Sequence, residues 1–274
     1  AYPSEIGETV MKTASSRVVF QLAAGWAASI GCFAKGDFSY DFSSPPPASF
    51  VTGQIGTTSA TFATSFNDGI LRLSDSRTPA QGGAGGIFGF GAFAREQSQI
   101  FGDVRISAIL NPLGNSDDLL NVVRGRRDVG LYTAGIDFSS GRLGIAKLLP
   151  EALGPVAVYN SDDPNQGSQP LLTDLNRSYF LELDIIGNEI SSRVYDEPGG
   201  TQLLQVSFLD DNIGGPALEP SFAGVSVIWI GTNSTNLEGS FDNLSATAIP
   251  EPTSGILLGA GLVVAIVRLR RQKR

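Results

Sequence analysis

The sequence predicts an all-β fold, an antiparallel β-sandwich that occupies residues 35–248. Twelve short runs of alternating apolar and polar residues recur in this range, separated by turn-forming Gly, Pro, Asn and Asp. The predicted strands are Phe38–Phe42, Ser59–Phe62, Ile70–Leu73, Gly86–Phe93, Gly102–Leu110, Asp128–Phe138, Leu143–Lys147, Tyr179–Ile186, Glu189–Tyr195, Thr201–Ser207, Gly224–Ile230 and Gly239–Ala246. The chain holds 33 glycines and 15 prolines, and only 17% of its residues are charged. No long stretch has the 3.6-residue periodicity of an amphipathic helix. Because one sandwich can reach about 250 residues, a single domain accounts for the range.

Charge and histidine content exclude several classes of function. Residues 35–248 hold 12 Lys or Arg against 24 Asp or Glu. Without a clustered basic stripe, we expect no nucleic-acid partner. The chain contains no histidine, which removes the commonest general base and metal ligand. Its one cysteine, Cys32, lies in a segment that we expect to be removed, so the folded body would contain no disulfide.

The N-terminal segment has the features of a secretory signal peptide. Positive residues follow Met11, the only methionine, and the apolar run Val18–Ile30 leads to the small residue Ala34. We therefore expect a signal helix within residues 1–34 and cleavage after Ala34. Residues 1–10 would be upstream of the start at Met11. A buried core helix and a lipoprotein signal ending at Cys32 are the alternatives.

The C-terminal segment combines a proline motif, a short apolar run and a basic end. Pro250-Glu251-Pro252 precedes residues 254–267, which carry no charge. We expect residues 254–267 to form a short transmembrane helix. It would span about 21 Å, which is short for a hydrocarbon core of about 30 Å. The positive cluster would hold the C-terminus in the cytoplasm. It consists of Arg268, Arg270, Arg271, Lys273 and Arg274.

Residues 249–274 resemble the PEP-CTERM sorting tag of exported proteins in Gram-negative bacteria. The resemblance lies in the order of Pro250-Glu251-Pro252, apolar run and basic terminus. It implies that an exosortase-type enzyme recognises Pro250, Glu251 and Pro252, and that the chain is held in the inner membrane only transiently. A plain linker before an ordinary short anchor is the alternative.

The most specific part of the body is Ser178–Val206. Two alternating runs, Tyr179–Ile186 and Glu189–Tyr195, meet across Gly187-Asn188, a two-residue turn typical of hairpins. A third run follows, and Phe241-Asp242-Asn243-Leu244 closes the last strand. This order resembles the laminin-G-like or concanavalin-A-like jelly roll. Many such domains bind glycans, so the resemblance implies a lectin-like alternative.

Two acidic residues on the first of these runs raise the question of catalysis. Glu182 and Asp184 would share a face, and they resemble the Glu-x-Asp-x-x-Glu signature of β-glucanases on the same fold. Ile186 and Gly187 stand where the third acid is expected, and Glu189 lies beyond the turn. A retaining glycosidase needs two carboxyl groups about 5–5.5 Å apart. We therefore predict that the chain is not an enzyme, with glycoside hydrolysis as the less favoured alternative.

No cofactor is predicted, although Ca²⁺ stays an option. Pairs of hard oxygen ligands occur in predicted loops, but without a complete ligand spacing, so we interpret them as solvated turns. They are Asp117-Asp118, Asp162-Asp163 and Asp210-Asp211-Asn212. The basic run 124–127 is predicted to be a solvated hairpin tip. Trp229 and at least two of Phe88, Phe90 and Phe93 are predicted to lie in the core.

Together these features predict an exported protein at the cell surface or in the extracellular matrix. The predicted role is structural or adhesive, and a carbohydrate-binding module is the alternative. The expected partners are an exosortase-type enzyme, the inner membrane and an extracellular polysaccharide. A shallow aromatic-lined groove with convergent polar groups would favour the carbohydrate-binding alternative.

Overall fold

The computed structural model describes residues 37–55, 61–76, 91–113, 118–126, 130–149, 155–229 and 236–249. Within these ranges, fifteen strands form two antiparallel sheets, and the only helix is one 3₁₀ turn, Pro164–Gln166. The predicted all-β sandwich is therefore confirmed. The predicted signal helix and membrane helix lie outside the described residues. Within those residues, no helix combines the length and apolarity that a membrane crossing needs.

Sheet A has eight strands, seven of them in the order β13-β12-β11-β6-β15-β4-β3, and β1 pairs with the far end of β15. Its strands are β1 (Phe38–Tyr40), β3 (Thr61–Asn67), β4 (Ile70–Ser76), β6 (Val104–Pro112), β11 (Tyr179–Ile186), β12 (Glu189–Tyr195), β13 (Gln202–Leu209) and β15 (Asn236–Ala248).

Sheet B has seven strands in the order β10-β9-β8-β7-β14-β5-β2. Its strands are β2 (Phe50–Ile55), β5 (Gly91–Glu96), β7 (Asp118–Arg126), β8 (Gly130–Asp137), β9 (Arg142–Leu148), β10 (Pro155–Asn160) and β14 (Ala223–Trp229).

The core forms where alternate side chains of the two sheets meet. On β11, Leu181, Leu183 and Ile185 are fully buried, whereas Glu182 and Asp184 lie on the opposite, outer face of sheet A. Burial of each such apolar side chain stabilises the fold by about 1.5–3 kcal/mol. The apolar residues of β11 therefore face the core, and its acidic residues are left on the outer face.

The predicted hairpin matches the structure residue for residue. β11 and β12 have the predicted bounds, and they pair from Phe180 with Tyr195 to Ile186 with Glu189. Gly187 has φ of 58°, a left-handed conformation that glycine adopts without strain. The turn residues therefore set the register of these two strands.

Three strands were not predicted, namely β2, β7 and β10. β7 was missed because its acidic start and its basic run 124–127 suggested loops. The interpretation of this basic run as a solvated hairpin tip is wrong for Arg124, which is only 3% exposed. Its Nη1 donates to the carbonyl of Gly102 at 2.7 Å, and its Nη2 donates to the carbonyl of Leu218 at 2.9 Å. Burial lowers the pKa of Arg124.

The first and last described segments lie side by side. β1 pairs with β15 so that Phe38 lies opposite Ala246, and the Asp37 carboxylate accepts a hydrogen bond from the Ala248 amide at 3.1 Å. The amide of Ile249 donates to the carbonyl of Asp103 at 3.0 Å. Sheet pairing therefore ends at Ala248, and one further backbone hydrogen bond holds Ile249, the residue before the proline motif.

Candidate functional site

Four charged side chains form one network on the outer face of sheet A. Asp184 accepts from Nε and Nη2 of Arg105 at 2.7 and 2.8 Å, and it also accepts from Nη2 of Arg193. Glu182 lies 3.5 Å from Nε of Arg193 and accepts from the Tyr195 hydroxyl at 3.1 Å. We call Arg105, Glu182, Asp184 and Arg193 the outer network. The guanidinium of Arg193 connects the network, because it lies against the carboxylates of both Glu182 and Asp184.

The register of three neighbouring strands brings these residues together. Asp184 on β11 lies opposite Arg105 on β6, and Glu182 lies opposite Arg193 on β12. Directly opposed side chains on one sheet face are close enough to pair. The sequence pattern identified Glu182 and Asp184 as candidates but not their arginine partners. Arg105 is 79 positions from Asp184, so only strand pairing reveals that contact, whereas the register of the predicted hairpin already places Arg193 opposite Glu182 and could have identified it.

The outer network is balanced in charge and partly open to solvent. The side chain of Arg105 is 47% exposed, whereas that of Asp184 is 8% exposed. The hydrogen bonds to Asp184 raise the pKa of Arg105 above its usual value. Burial raises the pKa of Tyr195, and the negative charge of Glu182 adds to the rise. The network therefore offers fixed charged donors and acceptors that reach solvent mainly through Arg105, whereas Glu182 is 16% and Arg193 is 23% exposed.

A small apolar pocket lies beside the network on the same face. It has a volume of about 100 Å³. Ring contact between Phe180 and Tyr195, with centroids 6.0 Å apart, links it to the network. The pocket is lined by Ile109, Ser178, Tyr179, Phe180, Asp196, Glu197 and Pro198. We call the pocket, Tyr195 and the outer network together the β11 surface.

A second ionic cluster lies in the interior. The side chains of Lys147 and Asp210 are both 0% exposed, and Nζ lies 2.7 Å from the nearer Asp210 oxygen. Nζ also donates to the carbonyls of Gly215 and Pro216 at 3.0 and 2.9 Å. The Tyr132 hydroxyl donates to Asp210 and accepts from the Leu218 amide. We call Lys147, Asp210 and Tyr132 the buried clamp, because they fix the segment 210–218 against sheet B.

The buried clamp corrects one interpretation of the acidic loop pairs. Asp210 is not part of a solvated turn, since it is buried and paired with Lys147. Asp162 pairs with Arg142 at 2.8 Å, and Asp163 caps the 3₁₀ turn by accepting from the Asn165 amide. Within the described residues, no group of three acidic or thiol side chains has a metal-binding arrangement.

Several other predicted positions lie outside the described residues. These are the cleavage site Ala34, the motif Pro250-Glu251-Pro252, the basic cluster 268–274, and Phe88 and Phe90. The side chain of Trp229 is also not described. Phe93 is partly exposed and lies on the outer face of sheet B, opposite Gly53. Its ring covers Gly53 so closely that a Cβ atom at position 53 would come within 2.8 Å of it.

Comparison with solved structures shows which fold this is. The chain is similar to a β-1,3-1,4-glucanase (lichenase) derived from a mouse hindgut metagenome, at 16% identity and a TM-score of 0.54, with 78% of this chain and 100% of that one covered. It is also similar to a Bacillus licheniformis β-glucanase, at 13% identity and a TM-score of 0.53, with 79% and 100% covered. A laminarinase from Flavobacterium sp. UMI-01 matches at 10% identity and a TM-score of 0.50, with 76% and 98% covered.

No family model matches the chain, and no curated protein does. Identities of 10–16% show the fold alone, which is the jelly roll of these glucanases. The predicted jelly roll is therefore confirmed. The prediction that the chain is not an enzyme is contradicted, because several of the solved structures that it resembles, among them the two β-glucanases and the laminarinase, are glycoside hydrolases.

Proposed function

We propose that the chain is an exported polysaccharide-binding protein whose ligand lies on the β11 surface. The observation that carries this proposal is the juxtaposition of an apolar, aromatic pocket and a hydrogen-bonding network on one open face of a jelly roll. Binding sites for small organic groups combine apolar walls with a few fixed polar groups. The β11 surface has both components.

The chemistry of a sugar unit fits this arrangement. A pyranose ring has apolar C–H faces and a rim of hydroxyl groups. Phe180 and Tyr195 supply aromatic surface beside the pocket, and Glu182 and Arg105 supply an acceptor and donors at its side. Because Asp184 and Arg193 hold these groups in place, little side-chain entropy remains to be lost on binding.

Two arginines make a matched test of this site. Arg105 is 47% exposed and pairs with Asp184 on sheet A, whereas Arg142 is 45% exposed and pairs with Asp162 on sheet B. We expect a glycan array to identify a polysaccharide whose binding is lost in Arg105→Gln and in Phe180→Ala but kept in Arg142→Gln. Equal binding by all three variants, or no binding by the wild type, would contradict the proposal.

Hydrolysis on the same surface is the second candidate, favoured by the glucanase fold and by two carboxylates on one face. Glu182 is the catalytic candidate, because Asp184 is already held bidentately by Arg105. The polysaccharide identified on the array is incubated with the full chain, and new reducing ends are measured. Turnover that Glu182→Gln abolishes while binding persists would assign catalysis to Glu182. Unchanged turnover in that variant would exclude Glu182.

The proposed export and sorting rest on the two end segments. Sheet pairing ends at Ala248 and a backbone hydrogen bond still holds Ile249, so the motif Pro250-Glu251-Pro252 would begin directly after the last strand, beside the N-terminal β1. Two prolines keep such a segment out of a helix and accessible. Replacing the three motif residues with alanine should leave membrane insertion intact but cause uncut chain to accumulate in the inner membrane. If the alanine variant is released from the membrane as efficiently as the wild type, the motif is only a linker.

A further inference from the structure

The edge strand β13 is covered in an unusual way. β13 is the last strand of sheet A, with β12 on one side. On its other side, two glutamine side chains take the place of a strand. The Gln166 amide donates to the carbonyl of Ser207 at 2.8 Å and accepts from the amide of Ser207 at 3.0 Å. The Gln169 amide donates to the carbonyl of Gln205 and accepts from its N–H at 2.7 Å.

Each glutamine amide reproduces one peptide group of a neighbouring strand. A primary amide supplies one carbonyl and an N–H donor, which is what a backbone partner would offer. Gln166 and Gln169 therefore satisfy the outward-pointing groups of Ser207 and Gln205, two residues apart, as an antiparallel strand would. We call these two side chains the glutamine plug.

Within the described residues, the strand beneath the plug carries none of the sequence features that protect an edge strand from pairing. Gln202–Leu209 contains no charged residue and no proline, and Leu204, Val206 and Phe208 are buried. Uncharged edge strands with free N–H and C=O groups are templates for strand addition. The two glutamines of the plug lie in the short segment 163–169. It is kept in place by the cap at Asp163 and by a hydrogen bond from the backbone N–H of Gln169 to the carbonyl of Ser161 at 2.9 Å.

We infer that the glutamine plug keeps the β13 edge from pairing with a second copy of this chain. The edge is self-complementary. In an antiparallel pair with a two-fold axis at Val206, Gln205 of one copy lies opposite Ser207 of the other. The four backbone groups that the plug releases are then satisfied by the same four groups of the partner copy, an isologous contact. No like charges meet, because the strand is neutral.

The test removes the amides while keeping the side-chain length. Gln166→Met together with Gln169→Met is compared with the wild type by sedimentation of the full chain, in one detergent buffer for all variants. We expect the wild type to stay monomeric and the double variant to reach twice the monomer mass as its concentration rises. The matched control is Gln202→Met, which changes a glutamine of β13 that does not cover its backbone.

A third variant separates pairing at this edge from general stickiness. Ser207→Pro removes the outward N–H that Gln166 now accepts from, and proline is tolerated on edge strands. Added to the double methionine variant, it should restore the monomer. Hydrogen exchange of the backbone N–H groups of Gln205 and Ser207 provides an independent readout. Both groups should be protected from exchange in the wild type, whereas in the double variant they should be protected only when it dimerises. A double variant that stays monomeric with both amides exposed, or a dimer that Ser207→Pro does not disrupt, would overturn the inference.

Discussion

The outer network and the buried clamp use the same chemistry in opposite surroundings. In the outer network, Arg105 is 47% exposed, and water competes for its guanidinium, although its partner Asp184 is only 8% exposed. In the buried clamp, Lys147 and Asp210 are both 0% exposed, so only protein groups solvate them. Exposed ion pairs contribute about 0–1 kcal/mol to stability, whereas breaking a buried pair costs about 3–5 kcal/mol. Residue type alone therefore does not separate a binding surface from a structural support.

The largest expected effect follows from breaking the buried clamp. Lys147→Met leaves Asp210 as a buried charge whose nearest cation is gone, and it leaves the carbonyls of Gly215 and Pro216 without their donor. We expect the free energy of unfolding to fall by about 3–5 kcal/mol, measured by urea denaturation.

Removing both charges at once provides the control for this prediction. Lys147→Met combined with Asp210→Asn should cost less than the sum of the two single changes, because no uncompensated charge is left in the interior. A loss below about 1 kcal/mol in Lys147→Met alone would mean that water reaches the cluster.

The buried clamp also shows where sequence patterns stop being informative. The alternation of β11 correctly predicted that Glu182 and Asp184 share a face, since period-2 burial is a local property. The interpretation of both as exposed acids is wrong for Asp184, which its arginine partners cover. Asp210 was interpreted as part of a solvated turn because it stands in an acidic, glycine-rich segment. Its partner Lys147 is 63 residues away in sequence, and only the packing of the two sheets brings them together.

The same limit applies to β7, whose acidic start and basic run 124–127 suggested loops. Asn121 and Arg124 interrupt its apolar run, yet Asn121 is 0% exposed and Arg124 is buried against the carbonyls of Gly102 and Leu218. A buried polar residue inside a strand breaks the alternation on which strand prediction depends. Those partners lie on other segments, so no local signal replaces the lost pattern.

The next largest effect concerns the pH dependence of the buried clamp. Burial and the hydrogen bond to Asp210 raise the pKa of Tyr132 to about 12. A tyrosine in the unfolded chain has a pKa of about 10, so between pH 10 and 12 the unfolded state loses its proton first. Because the folded state then binds more protons, stability is fully present below pH 10 and falls as pH rises towards 12.

Tyr132→Phe tests this dependence, because phenylalanine has no proton to lose. Tyr132 should contribute about 2–3 kcal/mol to the loss of stability across this window. We expect the variant to be less stable near neutral pH but to lose less stability than the wild type between pH 10 and 12. Urea denaturation at several pH values measures both. Parallel pH profiles for the two proteins would contradict the assignment to Tyr132.

The smallest effect on stability is expected in the outer network, and salt separates it from the buried clamp. A double-mutant cycle with Arg105→Gln and Asp184→Asn isolates the coupling between the two side chains. We expect a coupling free energy of at most about 1 kcal/mol, because Arg105 is half exposed and its gain is offset by solvation and side-chain entropy.

Raising the ionic strength from about 0.01 M to 1 M shortens the Debye length from about 30 Å to 3 Å, so the coupling between Arg105 and Asp184 should shrink. The coupling between Lys147 and Asp210 should keep its value over the same range, because no counterion reaches a pair that is 0% exposed. Equal salt sensitivity in the two cycles would show that both pairs are solvated alike, and the distinction between an open binding surface and a closed support would then fail.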